Sequence, residues 1–340
     1  MNEFKNIIKG KSILLTGGTG SFGNKFVSLI LDKLKPKKLV IFSRDELKQF
    51  NMLESFPYSK YKNIRFFLGD VRDQERLNYA MENIDYVIHA AALKHVSIAE
   101  YNPLEFINTN IVGTNNVIKS AINNNVSKVI LLSTDKAVNP INLYGSTKLC
   151  AEKLMVAANN IVGSKKTIFS VVRYGNVLAS RGSVIEKLIN HDIKKKFPVT
   201  HEEMTRFWIY LDDAVKFVLQ SLKNMQGGEI FIPKMSSMKL EKMIKLIIPN
   251  IKIELTGIRP GEKLHEKLIS IDDAKNTYEF KNCFITYPNI RINRQNLNKV
   301  KNFENKLGKI VNKDFSYTSE ECKDRLKIFS RSKIATLINR

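Results

Sequence analysis

Short apolar runs alternate along the chain with longer segments in which apolar residues return every three or four positions, and the alternation holds from residue 11 to residue 177. Lys11-Ser12-Ile13-Leu14-Leu15-Thr16, Lys38-Leu39-Val40-Ile41-Phe42, Ile64-Arg65-Phe66-Phe67-Leu68, Tyr86-Val87-Ile88-His89, Val129-Ile130-Leu131-Leu132 and Phe169-Ser170-Val171-Val172-Arg173 read as strands. Apolar residues that fill both faces of such runs indicate parallel strands buried between helical layers. Amphipathic segments at 24–34, around 101–123 and after Tyr144 supply the helices. The expected fold is α/β: a doubly wound parallel sheet. Beyond residue 177 the pattern loosens. Helices are expected at 183–193, 211–224, 239–247 and 271–275, with a strand at 229–233. The organisation expected is a dinucleotide-binding domain at 1–177 with returning later segments, a smaller substrate lobe at 178–285 built from discontinuous pieces, and a Lys/Asn-rich extension at 286–340 that the pattern leaves unassigned.

The turns carry the candidate chemistry. Gly17-Gly18-Thr19-Gly20-Ser21-Phe22-Gly23 joins the first strand to an amphipathic helix, and Gly18-x-Gly20-x-x-Gly23 fits the dinucleotide fingerprint. Glycines let backbone N–H groups and the helix N-terminus approach a pyrophosphate. After the second strand come Ser43 and Arg44, and an arginine there suits a ribose 2′-phosphate, so the cofactor expected is NADP. Asp45 and Glu46 keep NAD open, since either could take a 2′-hydroxyl. Asp70 is expected near the adenine amino group, with Val71 against the ring. Small residues from Ala90 onward leave room for the cofactor ribose, Lys94 is expected to touch ligand, and His95 stays open. An asparagine of Asn108-Thr109-Asn110 is expected to hold active-site backbone or a water.

At the carboxyl end of run 129–132, where open α/β sheets bind ligands, stand Ser133-Thr134-Asp135-Lys136 and then Tyr144-Gly145-Ser146-Thr147-Lys148. Tyr144 and Lys148 share a helix face, so the ammonium is expected to lower the phenol's pKa and hold a ribose hydroxyl. Farther on, Arg206 and Arg259 lie in loop-like settings, and two guanidinium groups are what a diphosphate needs.

The 340 residues carry a net charge of +22, but the cations are scattered, so neither nucleic acid nor a membrane surface is expected as partner. No apolar run approaches the roughly 18 residues of a membrane span, and the N-terminus lacks a signal-peptide pattern, so a cytoplasmic location is expected. The three cysteines, Cys150, Cys283 and Cys322, form no metal-ligand spacing; reduced thiols and no metal site are expected.

The motifs Thr16–Gly23, Ser43–Lys48, Ala91–His95, Ser133–Ala137, Tyr144–Lys148, Arg173–Asn176 and Arg259–Lys263 resemble those of the extended short-chain dehydrogenase/reductases. More narrowly they resemble the inverting UDP-N-acetylglucosamine 4,6-dehydratases that begin pseudaminic acid synthesis for flagellin or surface glycans. The resemblance implies a homo-oligomeric, NADP-dependent lyase acting on UDP-N-acetylglucosamine and giving a UDP-2-acetamido-2,6-dideoxy-L-arabino-hexos-4-ulose. It also implies Lys48 and Val177 beside the cofactor, and Lys94, Asn176, Ile185 and Glu262 beside the substrate with the two arginines. Tyr144 and Lys148 would oxidise C4, with Thr134 among the catalytic residues. Lys136 would take the C5 proton once desolvation and Lys148 depress its pKa, and Asp135 or the lysinium would protonate the departing 6-hydroxyl. Related enzymes usually have Thr-Asp-Glu where this chain has Thr134-Asp135-Lys136, so the lysine is expected to mark inversion at C5. A UDP-sugar 4-epimerase, or a dehydratase that also epimerises, shares the fold without needing the Asp135–Lys136 pair; a non-catalytic NADP-binding regulator is the more distant alternative.

Overall fold

A computed structural model describes residues 1–290, 292, 302–304 and 306–321. Six parallel strands form its centre: β1 (Ser12–Thr16), β2 (Lys38–Ser43), β3 (Ile64–Leu68), β4 (Tyr86–His89), β5 (Lys128–Thr134) and β6 (Ile168–Tyr174), in spatial order β6-β5-β4-β1-β2-β3. The reversal of order between β1 and β4 marks the switch point where such sheets bind ligands. Successive side chains pack on opposite faces. Leu14, Val40, Val87, Val129 and Val171 meet the helices Gln74–Ala80, Gly113–Asn123 and Leu143–Ile161, while Ile13, Leu15, Ile41, Ile88 and Val172 meet Ser21–Lys33 and Leu211–Asn224. The doubly wound fold read from the apolar runs is the fold observed.

The rest of the chain contributes short strands: β7 (Asn176–Val177), β8 (Phe197–Val199), β9 (Thr205–Ile209), β10 (Ile230–Pro233), β11 (Ser236–Lys239), β12 (Ile253–Leu255), β13 (Lys267–Ile269), β14 (Thr277–Glu279) and β15 (Cys283–Thr286). β10 extends the main sheet in parallel beyond β6, and β15 and β14 follow it antiparallel. β7, β9 and β11 form a separate sheet, and β8 pairs with β12. Around them Leu178, Leu188, Met204, Trp208, Met243 and Ile244 build a second apolar core. The helices Val184–Ile189, Leu240–Ile247 and Ile271–Ala274 fall within the spans expected, and Leu211–Asn224 matches its span end to end.

Two departures matter for the site. The helical region expected at 101–123 is broken into Val96–Tyr101, Pro103–Phe106, a wide π-type turn over Ile107–Val112, and Gly113–Asn123. Pro103 starts a new helix and holds Asn102 in non-helical backbone. Part of the Lys/Asn-rich stretch is also ordered into the fold: Tyr317–Thr318 pairs with β13, Lys309–Ile310 pairs with β14, and the buried Tyr317 hydroxyl bonds both the N–H (2.7 Å) and the carbonyl (3.0 Å) of Met235. Cys150 and Cys283 are free thiols, while Cys322 lies outside the described residues. No helix among the described residues is long and apolar enough to cross a membrane.

Candidate active site

Four segments converge at the carboxyl ends of β1, β4 and β5. The glycine turn comes first. Gly23, one turn into its helix, lies so close to the Gly18 carbonyl that any side chain would overlap it, so glycine alone lets the helix start against the turn. At the end of β2 the structure separates the candidates. Asp45 caps the helix Glu46–Ser55, accepting from Lys48 N at 2.9 Å and pairing with the Lys48 ammonium, so its carboxylate is already engaged. Arg44 is half exposed and stands 3.7 Å from Asp70.

One expectation about the adenine end changes. The Asp70 carboxylate is held by Arg72 at 2.8 Å as well as by Arg44, and Val71 is 4% exposed in the core against Gly113. The Asp70 side chain stays partly exposed, at 23%, while that of Val71 is turned into the core and away from a ring. Lys94 donates to the Arg181 carbonyl at 2.6 Å, and the Arg181 N–H donates to Ser21 at 2.9 Å, so this loop bridges the cleft at the start of the glycine-turn helix. Burial pushes the Lys94 ammonium below its usual pKa.

The second segment is the π-type turn after β4. Asn110 accepts from Leu93 N (2.9 Å) and donates to Leu93 O (2.9 Å) and to Thr147 (3.0 Å), tying the loop after β4 to the helix that carries Tyr144. This is the backbone-holding asparagine expected from the sequence. Behind it His89 is fixed by Thr16 (2.7 Å) and Thr114 (3.1 Å); burial, with Lys148 adding to it, pushes its imidazole down to about 3 and keeps it neutral.

Third, β5 delivers Thr134, Asp135 and Lys136 into a tight turn, and Asn142 caps the helix Leu143–Ile161 by accepting from Gly145 N at 2.7 Å. Tyr144 and Lys148 are both buried on that helix. Burial pushes Tyr144 up to about 12, and the groups that chiefly oppose it are Lys136 and the Thr134 hydroxyl rather than the expected Lys148. The Lys148 ammonium donates to the Leu132 carbonyl at 2.7 Å; burial pushes it down to about 8 against the pull of Glu152. Glu152, one turn on, is locked to Arg173 of β6 by bonds of 2.7 and 3.0 Å.

The fourth segment is the loop 256–266. Lys136 lies at its heart, with its ammonium 3.1 Å from Asp135 Oδ1, 3.0 Å from Glu266 Oε1 and 3.4 Å from Asn176 Oδ1. Desolvation was expected to bring the Lys136 pKa toward neutrality. Burial does act in that direction, but the carboxylates of Asp135 and Glu266 outweigh it and raise the lysine above its ordinary value. The cation that opposes them most is Arg206 rather than Lys148. Glu266 was missed because it stands three residues beyond Lys263, in a stretch without apolar period.

The two arginines of the expected diphosphate clamp differ. Arg206 is buried, its Nη1 donating to Thr205 O (2.7 Å) and Leu264 O (3.0 Å), with Glu262 at 3.5 Å and Glu266 at 3.9 Å; these internal partners commit its guanidinium to the protein. Arg259 is 68% exposed at its side chain, beside Glu262 at 3.6 Å, and remains accessible. Ile185 is 2% exposed inside the second core, which removes it from any pocket lining. Asn176 and Val177 lie on β7 beside the Lys136 cluster.

Residues 13–288 match the family model described as polysaccharide biosynthesis protein. A curated relative from Campylobacter jejuni, named UDP-N-acetylglucosamine 4,6-dehydratase (inverting), is 53% identical over 92% of this chain and 94% of its own length. A Rickettsia typhi protein named UDP-glucose 4-epimerase is 46% identical over 77% of this chain and 79% of its own. The X-ray structure of Pen from Bacillus thuringiensis superposes with a TM-score of 0.85 at 40% identity, covering 98% of each chain.

Proposed function

The chain belongs to the polysaccharide biosynthesis protein family, within the extended short-chain dehydrogenases, and from that premise we propose that it is an inverting UDP-N-acetylglucosamine 4,6-dehydratase. The observation that carries the reading is the Asp135–Lys136 pair packed into one buried site with Tyr144. Oxidation at C4 needs Tyr144 and Lys148 alone; removal of water needs a second acid/base set, and this site has one. The reaction of the Campylobacter relative supports the same conclusion.

The residues present fit a nicotinamide dinucleotide. The glycine turn opens on a helix N-terminus, and the Ser133 hydroxyl is buried near the end of β5 with no hydrogen-bond partner among the described residues. Gly17, Thr19, Gly20, Ser21, Phe22 and Gly23 would hold its pyrophosphate. Arg44, with Asp45 turned to its cap, supports NADP over NAD. A bound dinucleotide supplies a hydride acceptor for C4 and later a hydride donor for C6.

As a phenolate, the form that Lys136 and the Thr134 hydroxyl favour against burial, Tyr144 accepts the proton of the 4-hydroxyl as C4 is oxidised, and Lys148 holds the adjoining hydroxyls in place. The 4-ketone acidifies the C5 hydrogen. Lys136 handles that proton after passing its own to a flanking carboxylate, and the 6-hydroxyl leaves as water. Reprotonation of C5 from the opposite face inverts it. Arg259 and Asn176 are the substrate contacts this reading keeps, with Glu262 holding Arg259. The exposed Tyr101 and Leu104 (87% and 68%) support self-association, and the product's chemistry suits a first step toward pseudaminic acid.

The sequence of the Rickettsia relative favours a second reading, 4-epimerisation of a UDP-sugar. Incubation with UDP-N-acetylglucosamine and catalytic NADP in deuterium oxide separates the two by NMR. The dehydratase gives a 6-deoxy-4-keto sugar with inverted C5 bearing deuterium, and reduced cofactor does not accumulate. A C4 epimer that keeps its 6-hydroxyl would overturn the reading.

A further inference from the structure

Asp135 and Glu266 are 0% and 2% exposed, and the Lys136 ammonium lies between them at 3.1 and 3.0 Å. One ammonium cannot neutralise two buried carboxylates, and burying an uncompensated charge is costly. The other oxygens of the pair, Asp135 Oδ2 and Glu266 Oε2, are buried with no hydrogen-bond partner among the described residues. The charged groups around them are unequally shared. Glu266 pairs with Lys136 and Arg206, whereas among the described residues Asp135 has an ion pair with Lys136 alone; Lys263 acts on both carboxyls, and the Thr134 hydroxyl and Tyr144 phenol complete the surroundings of Asp135.

We propose that Glu266 is a positioning residue for water elimination: it claims the Lys136 ammonium, so that Asp135 carries the second proton and the three side chains work as one proton-holding unit. The proposal rests on the dehydratase reading. Burial raises the Asp135 carboxyl, helped by Glu266 and opposed by Lys136; at Glu266 burial acts the same way, but Lys136 and Arg206 outweigh it and lower that carboxyl. Two carboxyls pushed in opposite directions are suited to different parts of one reaction.

The steps balance. At rest Lys136 is an ammonium, Glu266 a carboxylate and Asp135 a carboxylic acid. Lys136 passes its proton to Glu266, and the free amine takes the C5 proton of the 4-keto sugar. The C5–H electron pair, held first as the enolate, becomes the C5=C6 bond. The C6–O bond breaks with its pair on oxygen, and the Asp135 proton completes the water molecule. Lys136 is then an ammonium again, Glu266 is protonated and Asp135 ionised; the proton returns from Glu266 to Asp135 through the ammonium between them. One proton has entered from C5 and one has left on the water.

Glu266→Gln keeps the shape of the side chain and removes its charge. Asp135 then becomes the counter-ion of Lys136, and the site lacks both a free base and a proton donor. Water loss and deuterium exchange at C5 should fall by about 100-fold or more, while oxidation at C4, read as a single-turnover rise in reduced cofactor, persists. Glu266→Asp restores the charge and should recover part of the elimination rate, with the alkaline limb of its pH profile close to wild type. Water loss by Glu266→Gln at the wild-type rate would overturn the proposal. So would parallel loss of C4 oxidation and elimination in both variants, which marks a purely structural role. A wild-type enzyme that releases no water would instead strike the dehydratase reading itself.

Discussion

Gly145 lies so close to the carbonyl oxygen of Lys136 that a side chain on it would occupy the same space. The contact is backbone against a helix start, so neither partner can swing away, and it fixes how near the turn bearing Lys136 approaches the helix bearing Tyr144 and Lys148. Gly145→Ala should cost about 1–3 kcal/mol of stability and reduce C4 oxidation and water loss together. Denaturant unfolding and single-turnover assays check this; an alanine variant with wild-type stability and turnover would show that the two elements are free to separate.

Lys136→Ala leaves Asp135 and Glu266 buried together without their shared ammonium. Elimination should stop, while C4 oxidation by Tyr144 should continue at a reduced rate because Lys136 no longer favours the phenolate. The variant should lose about 3–5 kcal/mol at neutral pH, as expected for a broken buried ion pair. The sign of its pH dependence follows from the carboxyls. Without Lys136 their folded-state pKa values rise above the unfolded ones, so stability is greatest below the unfolded carboxyl range and declines as pH rises through the folded values. The deficit relative to wild type should therefore be smaller at pH 5 than at pH 8. A pH-independent deficit would mean that the carboxylates are compensated elsewhere.

Arg259 and Arg206 should respond differently to the same substitution. Arg259→Ala removes an exposed side chain, so the fold should hold while KM for the UDP-sugar rises about tenfold to a hundredfold, or about 1.5–3 kcal/mol. Cofactor affinity should stay as it was. Arg206→Ala removes the partner of two backbone carbonyls and of Glu262 and Glu266, and its first effect should be on melting temperature. An unchanged KM for Arg259→Ala would take that residue out of the site.

Arg44 is the cation at the end of β2, and the Asp45 carboxylate beside it is occupied by its helix cap. Arg44→Ala should weaken NADP binding about tenfold or more, the size of a charge-assisted hydrogen bond, and leave NAD nearly unaffected. Titration of the two dinucleotides by intrinsic fluorescence tests it. Equal losses for both would place the arginine away from the 2′-phosphate.

The central sheet was legible because parallel strands covered on both faces must be continuous apolar runs, and the glycine turn was legible because its backbone geometry leaves little choice of residue. The second lobe was not. Its strands β7, β8, β11, β12 and β13 have two to four residues each, too few to establish a period of two. Lys136 could be found from the sequence, but the sign of its pKa shift could not. That sign depends on Glu266, which reaches the cluster through the folding of a loop with no local signature. For Arg206 the sequence offered a plausible ligand contact, and burial among Thr205, Leu264, Glu262 and Glu266 assigned it to the interior instead.

The pairing of β13 with Tyr317–Thr318 bears on how this protein is made. The Ser319 hydroxyl accepts from Glu266 N at 2.9 Å and bonds the Thr205 hydroxyl at 2.7 Å across 114 residues of sequence. The strand order places the glycine turn, β5 and the Tyr144 helix in segments that a ribosome releases early, and those can pack as they emerge. The backbone N–H and carbonyl of Glu266 gain their Ser319 partners only when residue 319 has left the exit tunnel. A stop codon placed just ahead of Tyr317 removes that hold on the Glu266 loop, and should yield a protein that retains cofactor better than it retains elimination.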